Sequence, residues 1–329
     1  MKKLNVGVIG VGHLGKLHTK MFTHISNCSL VGVFDLNYEV AKTTAAEFNT
    51  TAFHSMDELL ENVDAVSIAA TTSAHYETAK RCFEKNIHVF VEKPITSAIE
   101  QGEELVKTAK ERNLKFQIGH IERFNPGLIS LESFISDPMF IQSDRLSQFN
   151  LRGTDVAVVL DLMIHDIDII LSFIKSEVKQ IDANGVAVVS DHIDIANARI
   201  QFENGAVANV TASRISQKKM RKMRIFQKDH YISLDFVTGA SEIYRLLPVD
   251  QPALPTSISF GEIGVGNKKK RLIYEQPEIK EVNALNYELQ LFVDAVLNDK
   301  KIVVTGEDGL RALKVAEIII QKIEQSKGN

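Results

Sequence analysis

The stretch that most restricts the fold is Gly10-Val11-Gly12-His13-Leu14-Gly15, set between an apolar run at 4–9 and a helical pattern at 14–23. Three glycines at G-x-G-x-x-G spacing meet three separate demands. The first permits a tight turn out of a strand. The second lets a phosphate approach the backbone, and the third lets the helix pack closely on the strand. The helix that follows points unpaired N–H groups at such a phosphate. An acid belongs about 20 residues further on, where it accepts hydrogen bonds from a ribose. Asp35 stands 20 residues past Gly15, at the end of the next apolar run.

The pattern around this motif repeats. Apolar runs at 4–9, 30–34, 65–69, 88–91 and 116–118 alternate with helical stretches at 14–23, 38–48, 74–85 and about 97–112. Ser55 with Glu58, and Ser97 with Glu100, carry the spacing of a capping box. Strands alternating with helices imply a doubly wound parallel sheet, a Rossmann-type α/β domain, ending near residue 121. Asp35 favours NAD, because a carboxylate accepts bonds from both ribose hydroxyls and repels a 2′-phosphate. Leu36 and Asn37 supply no arginine for such a phosphate, while Lys42 keeps NADP open as an alternative. Thr71, Thr72 and His75 follow a strand at the sheet's carboxyl edge, where ligands bind in such folds. With Gly10, Gly12, His13, Leu14, Gly15 and Asp35 they are candidate cofactor contacts.

Beyond residue 121 the period changes. Helical stretches around 126–135 and 156–172 lead into strand-rich sequence. Asn204-Gly205 separates two alternating runs, 195–202 and 206–213, a strong hairpin signal. Runs at 221–227 and 231–235 form a second pair, the basic run 268–271 reads as a solvated turn, and helices at 284–298 and 310–324 follow. The expected organisation is a nucleotide-binding domain over 1–121 and a second domain over 122–329, built on an open, largely antiparallel sheet. The length of 329 residues suits two cores better than one.

Composition mainly excludes. A net charge of −4 and a pI near 6.2 argue against nucleic-acid or membrane-surface partners. No apolar run approaches the roughly 20 residues that span a bilayer. The start MKKLNVGVIGVGHLG is too broken by Asn5 and glycines for a signal peptide. Cys28 and Cys82 lie far apart, which fits a reducing cytoplasm better than a disulfide framework.

Two further clusters carry chemistry. Glu92-Lys93-Pro94 ends the strand at 88–91, again at the carboxyl edge, so Lys93 is expected to face the cofactor crevice and Glu92 to border it. In LDLMIHDIDII, Asp161 and His165 stand four apart and share a helical face, with Asp166 and Asp168 beside them. Each has a plainer reading: a solvated lysine at a strand end, and a surface Asp–His pair. A metal site lacks a third ligand at useful spacing, so none is expected.

GVGHLG, HVFVEKP and DLMIHDID, in that order, resemble the Gfo/Idh/MocA oxidoreductase family. The resemblance runs nearly end to end and takes in TTSAHYETAKRCFEKNIHVFVEKP and VVTGEDGLRALKV. It implies a Rossmann domain followed by an open antiparallel sheet, NAD-dependent oxidation of a sugar or polyol hydroxyl, and a homodimer or homotetramer formed through the open sheet. Carried onto this sequence, it implies that Lys93, His165 and Asp161 are catalytic. Lys93 would stabilise the developing alkoxide, His165 would take the hydroxyl proton, and Asp161 would orient the sugar or His165. One departure is Met163, where members often have glycine.

The stretch IGHIERFNP, with LDLMIHDIDII, resembles a subgroup that includes UDP-N-acetylglucosamine 3-dehydrogenases. That implies a nucleotide-sugar substrate with a diphosphate to bind. Candidate substrate contacts are His120, Arg123, Asp161, His165 and Arg221. Arg214, Lys218 and Lys219 extend the basic stretch, whose plainer reading is a solvated strand edge. A dehydrogenase of free sugars, inositol or polyols, and a non-catalytic NAD- and ligand-binding regulator, are the alternatives. Keeping Lys93, Asp161 and His165 argues against the regulator.

Overall fold

A computed structural model describes residues 3–150, 156–252 and 257–327; Met1 and Lys2 of the basic start lie outside them. The chain forms two compact units, Met1–Phe124 with Val282–Lys314, and Asn125–Glu281 with Val315–Asn329.

In chain order the first stretch runs β1 (Leu4–Ile9), α1 (His13–Phe22), β2 (Cys28–Phe34), α2 (Tyr38–Phe48), β3 (Thr51–Ala52) and α3 (Met56–Leu60). It continues β4 (Ala65–Ile68), α4 (Thr72–Glu84), β5 (His88–Glu92), α5 (Ile99–Glu111) and β6 (Phe116–Gly119). The second stretch holds α6 (Pro126–Leu131), β7 (Phe140–Leu146), α7 (Ile164–Phe173), β8 (Val178–Val186), β9 (Ile195–Phe202) and β10 (Val207–Ser213). Then come β11 (Met220–Phe226), β12 (His230–Asp235), β13 (Ser241–Pro248), β14 (Ile258–Ile263) and β15 (Lys270–Glu275). Helices α8 (Ala284–Leu297) and α9 (Gly306–Lys327) follow.

The first unit carries a parallel six-stranded sheet in the order β3-β2-β1-β4-β5-β6. The order reverses between β1 and β4, and a crevice opens at their carboxyl ends. Helices cover both faces, so the strands are apolar almost throughout: all four residues of β4 are buried, as are four of five in β5. Helix α8 sets Leu289, Phe292 and Val293 against Val6, Val8 and Phe90, with Phe90 and Phe292 edge to face at 5.9 Å. Each such side chain removed from water contributes roughly 1.5–3 kcal/mol.

The second unit carries a nine-stranded sheet in the order β14-β15-β13-β12-β11-β7-β10-β9-β8. All its pairings are antiparallel except β7 with β10. In β9 the expected alternation holds: Ala196, Ala198, Ile200 and Phe202 are buried. The β9–β10 hairpin turns at Asn204-Gly205, where the Gly205 N–H donates to the Phe202 carbonyl and Gly205 takes φ +86°. Among the described residues no helix is long and apolar enough to cross a membrane.

Several expectations need correction. The capping box at Ser55 and Glu58 forms, but Ser97 and Glu100 do not make one. Helix α5 starts a residue later, at N-cap Ala98, whose carbonyl takes a bond from Thr96 Oγ. The basic run 268–271 is only partly a turn, because Lys270 and Arg271 open β15. The basic stretch around 220–226 is not a sheet edge: β11 lies between β7 and β12. Strand β3 escaped the sequence because two residues are too short to show a period.

Candidate active site

In the first unit the glycine loop has the geometry its spacing implied. Gly10 takes φ +80°, and a Cβ there would lie 2.7 Å from the Ala70 backbone. A Cβ on Gly15 would fall 1.8 Å from the Gly10 carbonyl oxygen, so only glycine lets α1 start this close to β1. At Gly12 a Cβ would meet nothing within 4 Å, which leaves open space over the loop. Gly12 is also the N-cap of α1 and supplies no side-chain cap, so the first-turn N–H groups are available to a phosphate. His13 and Leu14 stand exposed in that turn.

Asp35 is held by its own neighbours. One carboxylate oxygen accepts from the Val11 N–H at 2.8 Å and the other from the Asn37 N–H at 2.9 Å. This ties the acid to the glycine loop, and each oxygen keeps lone pairs for a ribose. The loop, the uncapped helix start and the fixed carboxylate together fit a dinucleotide such as NAD.

At the carboxyl end of β4, Thr71 is the N-cap of α4, and Thr72 begins the helix. His75, one turn on, is buried. Its Nδ1 lies 2.9 Å from the Pro94 carbonyl and its Nε2 3.2 Å from the Ala70 carbonyl. Burial holds its pKa below the ordinary imidazole value, against the opposing pull of those carbonyls.

The Glu92-Lys93-Pro94 turn ends β5, with Lys93 half-buried. Glu92 is buried and accepts from His18 Nε2 at 2.9 Å. Burial alone would raise the Glu92 pKa, but the bond from His18 and the charges of His18, Lys93 and His75 outweigh it. The carboxyl is held below its ordinary range and is ionised. Beyond β6, His120 is buried, and Arg123 reaches to 3.7 Å from Asp308, which with Thr305 caps the start of α9.

In the second unit the predicted Asp–His helix is irregular. Val159–Met163 forms a π-helical turn that runs into α7, so Asp161 and His165 do not have ordinary α-helical spacing. Single π turns are rare in helices and recur at functional sites. Both side chains are half-buried, and Met163 between them is fully buried. Asp166 has a different task. It takes Arg145 Nε at 2.8 Å and Nη2 at 2.9 Å, both residues fully buried, while the guanidinium lies over Phe236. Arg221 pairs in register with Arg145 and shares the sheet face that α7 covers. Arg214 is buried, donates to the Val156 carbonyl at 2.6 Å and stands 3.7 Å from Asp194.

Sequence reading missed His18 and Ser67. Both are fully buried; His18 bonds Glu92 directly, and Ser67 reaches it through His18. The one available signal was a histidine three residues past Gly15, on the buried side of an otherwise ordinary helix.

Comparison with known proteins agrees with this geometry. Residues 4–120 match the oxidoreductase family with an NAD-binding Rossmann fold, and residues 131–232 match the GFO/IDH/MocA C-terminal domain. UDP-N-acetylglucosamine 3-dehydrogenase of Acidithiobacillus ferrooxidans is 37% identical over 96% of each chain. A solved structure of that enzyme superposes with a TM-score of 0.87 over 99% of each chain, at 35% identity. Myo-inositol 2-dehydrogenase of Thermotoga maritima is 23% identical over 98% of this chain and 97% of its own. The chain belongs to the Gfo/Idh/MocA family of NAD-binding oxidoreductases.

Proposed function

We propose that the protein oxidises a hydroxyl of a nucleotide sugar, with UDP-N-acetylglucosamine and its 3-hydroxyl as the best candidate. The observation that carries this reading is the 37% identity to UDP-N-acetylglucosamine 3-dehydrogenase over 96% of each chain. NAD, when bound, supplies the hydride acceptor. The glycine loop and the start of α1 hold its pyrophosphate, and Asp35 its ribose. Thr71, Thr72 and His75 border it. His165 takes the proton of the reacting hydroxyl, and the Lys93 ammonium donates to the same oxygen and stabilises the charge that builds there. Asp161 orients the sugar or His165. Arg221 is the candidate for the diphosphate; Arg214 donates to a backbone carbonyl and stands by Asp194. His120 and Arg123 remain candidate substrate contacts. The working division is a cofactor part, 1–121, and a substrate and assembly part, 122–329.

We also propose a homodimer or homotetramer in the cytoplasm, where the free buried thiols Cys28 and Cys82 are at home. The open face of the large sheet supports assembly. Phe140, Phe226, Tyr231, Tyr244 and Tyr274 form an unbroken row across it, neighbouring rings 4.8 to 5.7 Å apart. Aromatic surface of that extent suits a second copy of the chain. Light scattering of Tyr231→Arg beside the parent protein tests it: a smaller species is expected, and an unchanged mass overturns this interface.

The substrate reading is tested by NADH absorbance. Protein and NAD are mixed with UDP-N-acetylglucosamine, with free N-acetylglucosamine, glucose and myo-inositol, and with NADP as control, using a carbonyl trap to pull the equilibrium. NADH forming only with the nucleotide sugar is expected. Faster turnover of a free sugar or inositol overturns the nucleotide-sugar reading.

A further inference from the structure

Three buried side chains from separate elements form a line that the glycine motif does not require. Ser67 Oγ, on β4, lies 2.8 Å from His18 Nδ1, on α1, and His18 Nε2 lies 2.9 Å from Glu92 Oε1, on β5. His18 and Ser67 have no exposed surface. An ionised Glu92 can only accept, so the imidazole must carry its proton on Nε2. The other ring nitrogen, Nδ1, shares a hydrogen bond with the Ser67 hydroxyl, which can donate or accept. Both nitrogens of the buried ring are thereby engaged. The far side of the turn is held in the same way, by the His75 bond to the Pro94 carbonyl. Lys93 therefore stands between two residues that are each tied to a buried imidazole. A flexible four-carbon ammonium gains most from such bracing, because its stem has many rotamers to lose.

We propose that His18 is a positioning residue for the reaction: oriented by Ser67, it fixes the Glu92 carboxylate and so the aim of Lys93. This rests on the reading of Lys93 as the alkoxide-stabilising group. The rival is a buried polar cluster that only stabilises the fold. Rescue by a donor separates the two, because a positioning role follows the bond to Glu92 and a purely structural one follows volume and Tm. The same logic holds where a buried acid fixes a catalytic imidazole.

The test compares His18→Leu, which fills the space without a donor, His18→Gln, whose amide can donate to Glu92, and Ser67→Ala, which removes the bond that orients the His18 ring. Lys93→Ala runs beside them. Measurements are kcat, KM, NADH affinity by fluorescence, Tm and the pH profile of kcat. His18→Leu is expected to lower kcat about tenfold or more, on the scale of losses when a supporting hydrogen bond is removed, with NADH binding kept. His18→Gln should recover most of that loss, and Ser67→Ala should lower kcat at unchanged Tm.

The pH profile has a definite sign. The groups facing Glu92 are His18 from α1, His75 from α4 and the adjoining Lys93. Removing the His18 donor leaves the burial that favours the neutral acid, so the acid limb should move to higher pH in His18→Leu and return in His18→Gln. Equal kcat losses in Leu and Gln that track Tm, with no movement of the acid limb, overturn the proposal, as does a Ser67→Ala variant with parental kcat and profile. Ser67→Ala decides the matter alone if His18→Leu does not fold. Normal turnover in Lys93→Ala would instead overturn the reading beneath it.

Discussion

The two sheets hide their residues in different ways. In the six-stranded sheet the central strands are buried on both faces, so no group in a strand's middle can reach a ligand directly, and Ser67 there acts only through His18. The chemistry-bearing groups collect where the strands stop: the glycine loop after β1, Asp35 after β2, Thr71 after β4, and Lys93 after β5. In the nine-stranded sheet one face is covered, by α7 among others, and the opposite face carries the aromatic row. Position along a strand there says little, and the role of a charged residue depends on its partner. Asp166 and His165 are neighbours in sequence, yet Asp166 is bound in a structural ion pair with Arg145. Parallel topology locates the site in advance, whereas in the second sheet the partners must be seen.

The largest expected effect probes the strand-end rule itself. Lys93→Ala should lower kcat about a hundredfold to a thousandfold, the usual cost of removing a group that stabilises a developing oxyanion. His165→Ala should fall in the same range as the loss of a general base. NADH binding, followed by fluorescence titration, should persist in both. Near-normal turnover in the two variants would show that neither the strand-end lysine nor the helix histidine touches the reacting atoms.

Next comes the ion pair that separates Asp166 from its neighbours. Arg145→Ala leaves a buried carboxylate without its guanidinium and should cost about 3 to 4 kcal/mol of stability. Replacing both members, Arg145→Met with Asp166→Leu, should restore much of that loss, since a buried pair is often exchanged for apolar packing at little cost. Urea unfolding of the single and double variants measures both. A single variant as stable as the parent would mean that the Arg145–Asp166 pair does not hold this part of the fold together.

How much could be read in advance follows from the same contrast. Strand β1 and helix α2 agree with the sequence reading to the residue, because a short run of apolar residues stopped by Gly10 and an Asn N-cap mark their ends locally. Asp35 and the glycine loop were legible because their spacing is dictated by a ligand. The Ser97–Glu100 cap was misread, since the helix opens one residue later, at Ala98, which has no side chain to cap it, while the Thr96 hydroxyl donates to the Ala98 carbonyl. The π turn was invisible: LDLMIHDID reads as a regular helix, and the extra residue per turn is settled by packing. His18 was missed because its partners, Ser67 and Glu92, are 49 and 74 residues away.

A smaller effect separates buried acids by pH. Asp194, fully buried in the second unit, accepts from the Val188, Val189 and Ser190 N–H groups and from Ser190 Oγ. Burial pushes its pKa up, but these bonds prevail and hold it at about 2. A depressed carboxyl contributes stability that is present above its unfolded pKa and lost as pH falls through the folded one. Asp194→Asn should therefore be destabilised by roughly 2 kcal/mol at neutral pH, with the gap to the parent closing between about pH 4 and pH 2. A gap constant over that window would mean that shape, not charge, holds the 188–190 turn.

The smallest effect sets one glycine of each sheet against the other. Gly10 and Gly205 both take positive φ, +80° and +86°, so each asks the same backbone conformation of an added side chain. They differ in what surrounds them: a Cβ at Gly10 runs into the Ala70 backbone at 2.7 Å, whereas at Gly205 it meets nothing within 4 Å. Gly205→Ala should cost only the conformational penalty, about 1 kcal/mol, with NADH affinity intact. Gly10→Ala should add a backbone clash to that penalty, and its effect should appear in cofactor binding, because the loop it displaces is the one that meets the pyrophosphate. Thermal unfolding and NADH titration of the two variants make the comparison direct. Equal losses of stability with NADH affinity unchanged in both would mean that the glycine loop is an ordinary turn, with no closer tie to its ligand than the hairpin at Asn204-Gly205.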